Sequence, residues 1–502
     1  MKNLKNIKEK FLYEIWKNRN YSDKLFTTHG AQINIIDPGV QVDGEEGPDF
    51  KNARIEVGGI KYVGDVEIDP SISDWINHGH NANAKYNKVV LHVFFIKDIR
   101  DYIPRTAAGR NVQCLMLSSF LATDIRTSIR DAISSARDHR VKGIACMSAK
   151  SSATQDQKIH FIRDLGLRRF EKKCSRILDR LKEIHYEEML RNRMREPSIN
   201  YSPNEDFYNN DVSRSEYQNE KIWQQLFYEL TFEALGYSKN KDSFRKIAQE
   251  IDIDFLQKNT TKDSFVKNAE FLYLSISGLK PNINDVKFDE SKNYIRSMNG
   301  YWDTVKKYYS GEIMDNSKWH FFQLKPQNFP TIRMAGGVRI IYEILHNNLL
   351  GRIMSAFEQI EISSQMTREL RSLVIVKASG FWRNHYHFDK RAKTPFQYFI
   401  GSSRAEEIVI NVVLPFIKVL SDVFGRQKNS LKVISVYKTM MQRTDNRVTV
   451  DVANALSLPD IWKQSVFYQG LIELFREYCS KKRCNECGIG NPEKINQIPV
   501  GS

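Results

Sequence analysis

Cysteine is scarce in this chain, six in 502 residues, which is too few for a disulfide framework and points to a reducing, cytoplasmic setting. No apolar run approaches the roughly eighteen residues of a membrane span, so no membrane partner is expected. The opening stretch MKNLKNIKEKFLYEIW scatters charges where a secretory signal would carry its apolar region. Internal repeats and strong low-complexity tracts are missing too. What is present is a hydrophobic content of 41% with 28 Phe and 22 Tyr. That fills sizeable cores and excludes a wholly disordered chain. At about 150 residues per domain, the length suggests two to four domains.

Charge is unevenly spread. The 75 Lys and Arg exceed the 60 Asp and Glu, for a net +15, a balance that favours polyanionic partners. Residues 1–125 hold 16 basic and 16 acidic side chains, and residues 126–200 hold 18 against 10. An acidic, metal-binding N-terminal site beside a basic, phosphate-holding surface fits this division. Soluble basic helices with no such role fit it equally.

The first 125 residues read as mixed α/β. Apolar residues recur at helical spacing over 4–19, Ile33 and Ile35 alternate in Gln32–Asp37, and Asp37-Pro38-Gly39 signals a turn. Strands are expected at Phe50–Val57 and 61–69 around Gly58-Gly59, then a short helix or a helix and loop over 71–86. The near-continuous apolar run Val89–Ile96 suits a strand covered on both faces. The order is α-β-β-β-α-β. From residue 126 to 478 the chain looks mainly helical, with stripes in 161–190, 223–235, 264–275, 338–362, 404–424 and 463–478. The Asn/Ser/Asp-rich stretch 197–220 reads as a linker, and 325–333, with two prolines, as a turn or loop.

The chemistry candidate lies in 45–69, EEGPDFKNARIEVGGIKYVGDVEID. A period of two puts Asp65, Glu67 and Asp69 on one strand face, about 6.5 Å between neighbours. The hairpin can bring Asp49 beside Glu67. Carboxylates converging in this way repel unless a cation lies between them, and oxygen-only ligands suit Mg²⁺ or Mn²⁺. Exposed acids on a half-solvated strand are the other reading.

This arrangement of Gly47-Pro48-Asp49, hairpin, Val66-Glu67-Ile68, helix and buried strand resembles the PD-(D/E)XK nuclease core. The resemblance implies a metal-dependent nuclease that hydrolyses phosphodiester bonds in DNA or RNA, with Asp49 and Glu67 as ligands and Glu14 as a helical acid. At the position where that superfamily typically has Lys, this chain has Asp69, so either another cation serves (Lys61 or Lys85) or Asp69 acts as a further carboxylate. The alternative is a catalytically degenerate protein that still binds nucleic acid, and a third is a scaffold with incidental charge. The chain also resembles, nearly end to end, a bacterial family of unknown function, domain of unknown function 2851. The segments that carry this are GPDFKNARIEVGGIKYVGDVEIDPSISDWINHGHNANAKYNKVVLHV, FYELTFEALGYSKNKDSF, KPQNFPTIRMA, GFWRNHYHF and YCSKKRCNECGIG.

His78 and His80 follow the acidic strand and are candidates to bind phosphate, act as a general acid or orient water, or else are hydrogen-bonded structural residues. His92, within the apolar run, reads as a satisfied core histidine. In GFWRNHYHFDKR, aromatic rings alternate with Arg383, Lys390 and Arg391, a pattern that can stack bases and hold phosphates, or form an aromatic core edge. The basic run from Arg168 to Arg195 is a phosphate-tracking face or a solvated helix face. Cys479, Cys484 and Cys487, in 479–490, have metal-ligand spacing, with Cys114, Cys146, Cys174 or a His as possible fourth ligand. Structural Zn²⁺ is the first choice. An iron–sulfur cluster is the alternative, since some PD-(D/E)XK exonucleases resemble this in joining C-terminal Cys to one upstream. Reduced thiols on a tail are the plain reading.

Overall fold

Alternating apolar residues, long enough in three places to pair, build a seven-stranded sheet in the first part of the chain. The structure is a computed structural model and describes residues 9–42, 47–121, 153–195, 214, 216–237, 239–321, 324–442, 446–492 and 494. The chain divides into two units, Met1–Ile144 and Ala145–Ser502. The boundary expected at 125/126 falls outside the described residues, as does most of the expected linker at 197–220.

The first unit runs α1 (Glu9–Lys17), β1 (Leu25–Phe26), β2 (Gln32–Asp37), β3 (Val40–Gln41), β4 (Phe50–Val57), β5 (Ile60–Ser71), α2 (Asp74–Asn77), two 3-10 turns, β6 (Val89–Ile96) and β7 (Gln113–Met116). The sheet order is β1-β2-β4-β5-β6-β7, with β3 beside β4. β2, β4 and β5 are antiparallel neighbours, whereas β5, β6 and β7 run parallel. Leu12, Ile15 and Trp16 of α1 pack with Val66, Ile68, Leu91 and Val93 in one core. The segment between β5 and β6 forms smaller clusters around Trp75 and around Ile72 and Phe94. This coverage on both sides accounts for the near-continuous apolar run of β6, whose first seven residues, His92 among them, are buried.

The second unit is mainly helical. Its longest helix, Gln155–Arg195, meets the helix Ser465–Leu474 at two glycines. A Cβ on Gly166 would lie 1.9 Å from the Val466 carbonyl oxygen, and one on Gly470 would lie 2.0 Å from that of Ile162, so each backbone occupies the space of the other's side chain. Within the basic run on the long helix, several described side chains form ion pairs with acids of neighbouring helices. Arg169 and Lys172 reach Glu473, Arg176 reaches Glu233, Arg180 reaches Glu229, and Arg191 reaches Asp252. The apolar stretch 338–362 is two helices, Pro330–His346 and Leu349–Gln359, separated where Asn348 takes a left-handed conformation. In 325–333 only the first proline makes a turn. The second, Pro330, opens a helix, where its missing N–H costs nothing. Among the described residues, no helix is long and apolar enough to cross a membrane.

Candidate metal centre

β4 begins at Phe50, opposite Val66 on β5, so Asp49 falls beside Glu67. Their interlock is direct. The Asp49 N–H donates to Glu67 Oε2 at 3.2 Å, and the Ile68 N–H donates to Asp49 Oδ2 at 2.9 Å. Asp65 does not join them. The register shifts between Phe50 and Ala53 on one side and between Asp65 and Val66 on the other, and Asp65 Oδ1 accepts the Asn52 N–H at 3.1 Å. The expected face of three acids is thus reduced to Glu67 and Asp69, because a bulge breaks the alternation.

On the parallel neighbour, His92 is the partner of Glu67, and its Nε2 lies 3.0 Å from Asp69 Oδ2. The crossover brings two more imidazoles. His78 ends α2, Gly79 turns with φ +77°, and His80 starts a 3-10 turn. That left-handed glycine is what lets both side chains meet the same carboxylate without an extended backbone. His78 Nδ1 lies 3.0 Å from Asp69 Oδ1. His80 Nε2 lies 3.1 Å from Glu67 Oε1 and 3.8 Å from Asp69 Oδ2. The ring of Trp75 packs edge-on to His80 and near His92, and Tyr86 lies 4.0 Å from His80, centroid to centroid, which fixes the imidazoles in place.

From α1 the residues that reach the site are Tyr13, hydrogen-bonded to Asp49, and Glu9, which feels the charge of Asp69. Glu14 does not. One residue beyond Tyr13 it turns about 100° away, and its carboxylate accepts from Asn18 Nδ2 at 3.4 Å. Lys61 stands six residues from Glu67, about 20 Å along β5, and pairs across the hairpin with Glu56. The place of a cation near Asp69 is taken by imidazoles.

Asp49, Glu67 and Asp69 are all buried, at 9%, 5% and 1% exposure, yet they titrate in opposite senses. Burial, with repulsion from Asp69 and Glu9, pushes Asp49 up to about 7 against the hydrogen bonds of Tyr13 and Ile68. Burial and then the charges of Asp49 and Asp69 push Glu67 well above its ordinary range. Asp69 is also raised by burial, but hydrogen bonds from His78 and His92 outweigh this and hold it below the usual carboxylate range. Its hydrogen bond to Asp69 takes His78 up to about 8, and burial takes His80 down to about 4.

Donor atoms of Asp69, His78 and His80 lie within 4.8 Å of one another. This set mixes nitrogen with oxygen, unlike the all-oxygen one expected, and it suits Mn²⁺ and the later first-row transition ions better than Mg²⁺. An ion fits these residues. Two buried carboxylates lack a Lys or Arg partner among the described residues, and both ring nitrogens of the enclosed His80 are without a hydrogen bond.

Elsewhere the candidates separate. In the aromatic motif Trp382 and Phe388 are fully buried. Phe381 stacks on Tyr294 and on His385, so these rings form a core edge and are not free to stack bases. Arg383, Lys390 and Arg391 are all exposed, and Arg391 pairs with Glu290 at 3.1 Å. Cys484 and Cys487 flank one 3-10 turn, and burial raises the Cys487 thiol although the Gly490 and Ile489 amides donate to it. Among the described residues, no three of the cysteines bring their sulfur atoms within 4.8 Å of one another. The three-thiolate set expected from spacing is therefore not gathered. Cys174 lies 3.9 Å from the Pro415 carbonyl oxygen and Cys114 is buried. Cys146 lies outside the described residues.

The family model described as protein of unknown function (DUF2851) matches residues 9–196 and 208–446. The chain belongs to this family. The match takes in Asp49, Glu67, Asp69, His78, His80 and His92 and ends before Cys479. No curated protein and no solved structure matches the chain.

Proposed function

We propose that the first unit is a divalent-metal-dependent phosphodiester hydrolase acting on DNA or RNA, with Asp49 and Glu67 as ligands. The observation that carries this reading is the interlocked pair itself: two buried carboxylates from adjacent strands, each destabilised in its charged form, without a basic side chain among the described residues to neutralise them. The element order α1, β2, β4, β5, α2, β6 and the positions of the acids support the resemblance to the PD-(D/E)XK core. Asp49 and Glu67 would hold a divalent cation, which would supply polarisation of a phosphodiester and a lower pKa for an attacking water. Tyr13 orients Asp49, His92 and His78 hold Asp69, and the buried ring of Trp75 packs against His80 and His92. The net charge of +15 favours a polyanionic substrate.

Asp69, where that superfamily typically has Lys, favours a second reading, a nucleic-acid-binding protein without the chemistry. Incubating the full chain with single- and double-stranded DNA and RNA in Mg²⁺, Mn²⁺ or chelator separates the two. Hydrolysis that needs the metal and disappears in Asp49→Ala and Glu67→Ala, with circular dichroism unchanged, is the expected result. Salt-sensitive binding without cleavage in any metal overturns the hydrolase in favour of the second reading.

A further inference from the structure

Among the described residues, His80 is a buried side chain with both ring nitrogens unpartnered. It is 5% exposed, and neither ring nitrogen makes a hydrogen bond, although Nε2 approaches Glu67 Oε1 to 3.1 Å. A buried polar nitrogen without a partner costs about 1–3 kcal/mol. A ring nitrogen held this close to a carboxylate oxygen, but not in line for a proton between them, has the geometry of two atoms that share a third.

We propose that Asp69, His78 and His80, with Glu67 at their edge, form a binding site for an imidazole-preferring dication of the Mn²⁺-to-Zn²⁺ class, beside the Asp49–Glu67 pair. The spacing supports this. Ions with bonds of about 2.0–2.2 Å set neighbouring ligand atoms about 3.0–3.5 Å apart. The separations here are 3.0 Å for His78 to Asp69, 3.1 Å for His80 to Glu67 and 3.8 Å for His80 to Asp69. His92 is the positioning residue, since it holds Asp69 Oδ2 from a fully buried position, as outer-shell groups hold metal ligands elsewhere. Trp75 and Tyr86 restrict rotation of His80. Mg²⁺ prefers oxygen ligands and is poorly served by two imidazoles. The inference goes beyond the hydrolase reading and stands without it.

The test is direct binding to the full chain after chelator treatment. Mn²⁺, followed by electron paramagnetic resonance, is the probe because the C-terminal thiols attract it little. Mg²⁺ is the competitor. The expected result is Mn²⁺ binding at least about tenfold tighter than Mg²⁺, loss of that preference in His80→Ala, and a loss of about 10–100-fold in affinity in His92→Gln. His78→Ala serves as a second variant, because that side chain is 42% exposed and its removal leaves the core intact. Mn²⁺ affinity unchanged in both His80→Ala and His78→Ala overturns the inference. If only Asp49→Ala abolishes binding, the ion belongs to the carboxylate pair and the hydrolase reading survives alone. If the histidine variants lose Mn²⁺ while the unaltered chain cleaves no nucleic acid, the metal site survives alone.

Discussion

Buried carboxylates occur in both units but are treated differently. In the helical unit, Glu229, Glu233, Glu270, Glu406 and Glu473 are buried, and each faces an arginine or lysine: Arg180, Arg176 with Lys241, Arg339, Arg371, and Arg169 with Lys172. Burial raises Glu233 and Glu473, but their cations outweigh it and leave both below the ordinary range; Glu270 is raised, because burial exceeds the pull of Arg339. In the sheet unit, Asp49 and Glu67 have each other, a tyrosine and a neutral imidazole. Acids that hold helices together are compensated within the chain. In the sheet unit, Asp49 and Glu67 have no such cation among the described residues, which is the ground for the proposed metal site.

The contrast is broken most severely by removing a cation from the helical unit. Arg339→Ala strands Glu270 in the core and is expected to cost about 3–5 kcal/mol in urea unfolding; a cost below about 1 kcal/mol means that Glu270 takes up a proton with little penalty. Gly79→Ala forces a left-handed conformation on alanine at about 1–2 kcal/mol. It is expected to weaken Mn²⁺ binding through the displaced imidazoles, read by the same resonance titration.

The corresponding change in the sheet unit has the opposite sign. Glu67→Gln removes an uncompensated charge and is expected to raise the stability of the metal-free chain at pH 8 by on the order of 1 kcal/mol. The pH dependence follows the same sign. Groups whose folded pKa is raised stabilise below their unfolded pKa and lose that stabilisation as pH rises through the folded value. Asp49, to about 7, and His78, to about 8, act in this sense above pH 6.5, and Glu67 is raised in the same sense, while His80, lowered to about 4, acts only below pH 6.5. Metal-free melting temperature is therefore expected to fall between pH 6.5 and 8, and added Mn²⁺ to flatten that slope. The smallest effect is Arg391→Ala, where an exposed pair with Glu290 contributes about 0.2–1 kcal/mol, measured by thermal unfolding.

The long strands were legible because their patterns are local. Gln32–Asp37, Phe50–Val57 and Val89–Ile96 occupy the residues that alternation and apolar continuity indicate. The strands Leu25–Phe26 and Val40–Gln41 are two residues long and carry no period of their own. Asp49 beside Glu67 could be read from one hairpin. The diversion of Asp65 could not, because it depends on bulges set by two neighbouring strands at once. Glu9, and not Glu14, facing the site depends on the rotation of α1, which Leu12, Ile15 and Trp16 fix by packing. The spacing His78-Gly79-His80 did carry a signal, a glycine able to reverse the chain between two ligands, but it gains meaning only once Asp69 stands opposite. In the aromatic motif, Tyr294 decides the outcome, and it comes from a helix some ninety residues earlier in the chain.

The central claim is that the buried acids of the sheet unit are completed by a cation. Counting bound Mn²⁺ on the full chain at pH 7.5, in parallel with Glu67→Gln, tests it most directly. The account predicts at least one tightly held ion per chain, diminished in the variant while the fold persists. An unaltered chain that takes up no ion at millimolar Mn²⁺, or a Glu67→Gln chain that takes up as much, contradicts it.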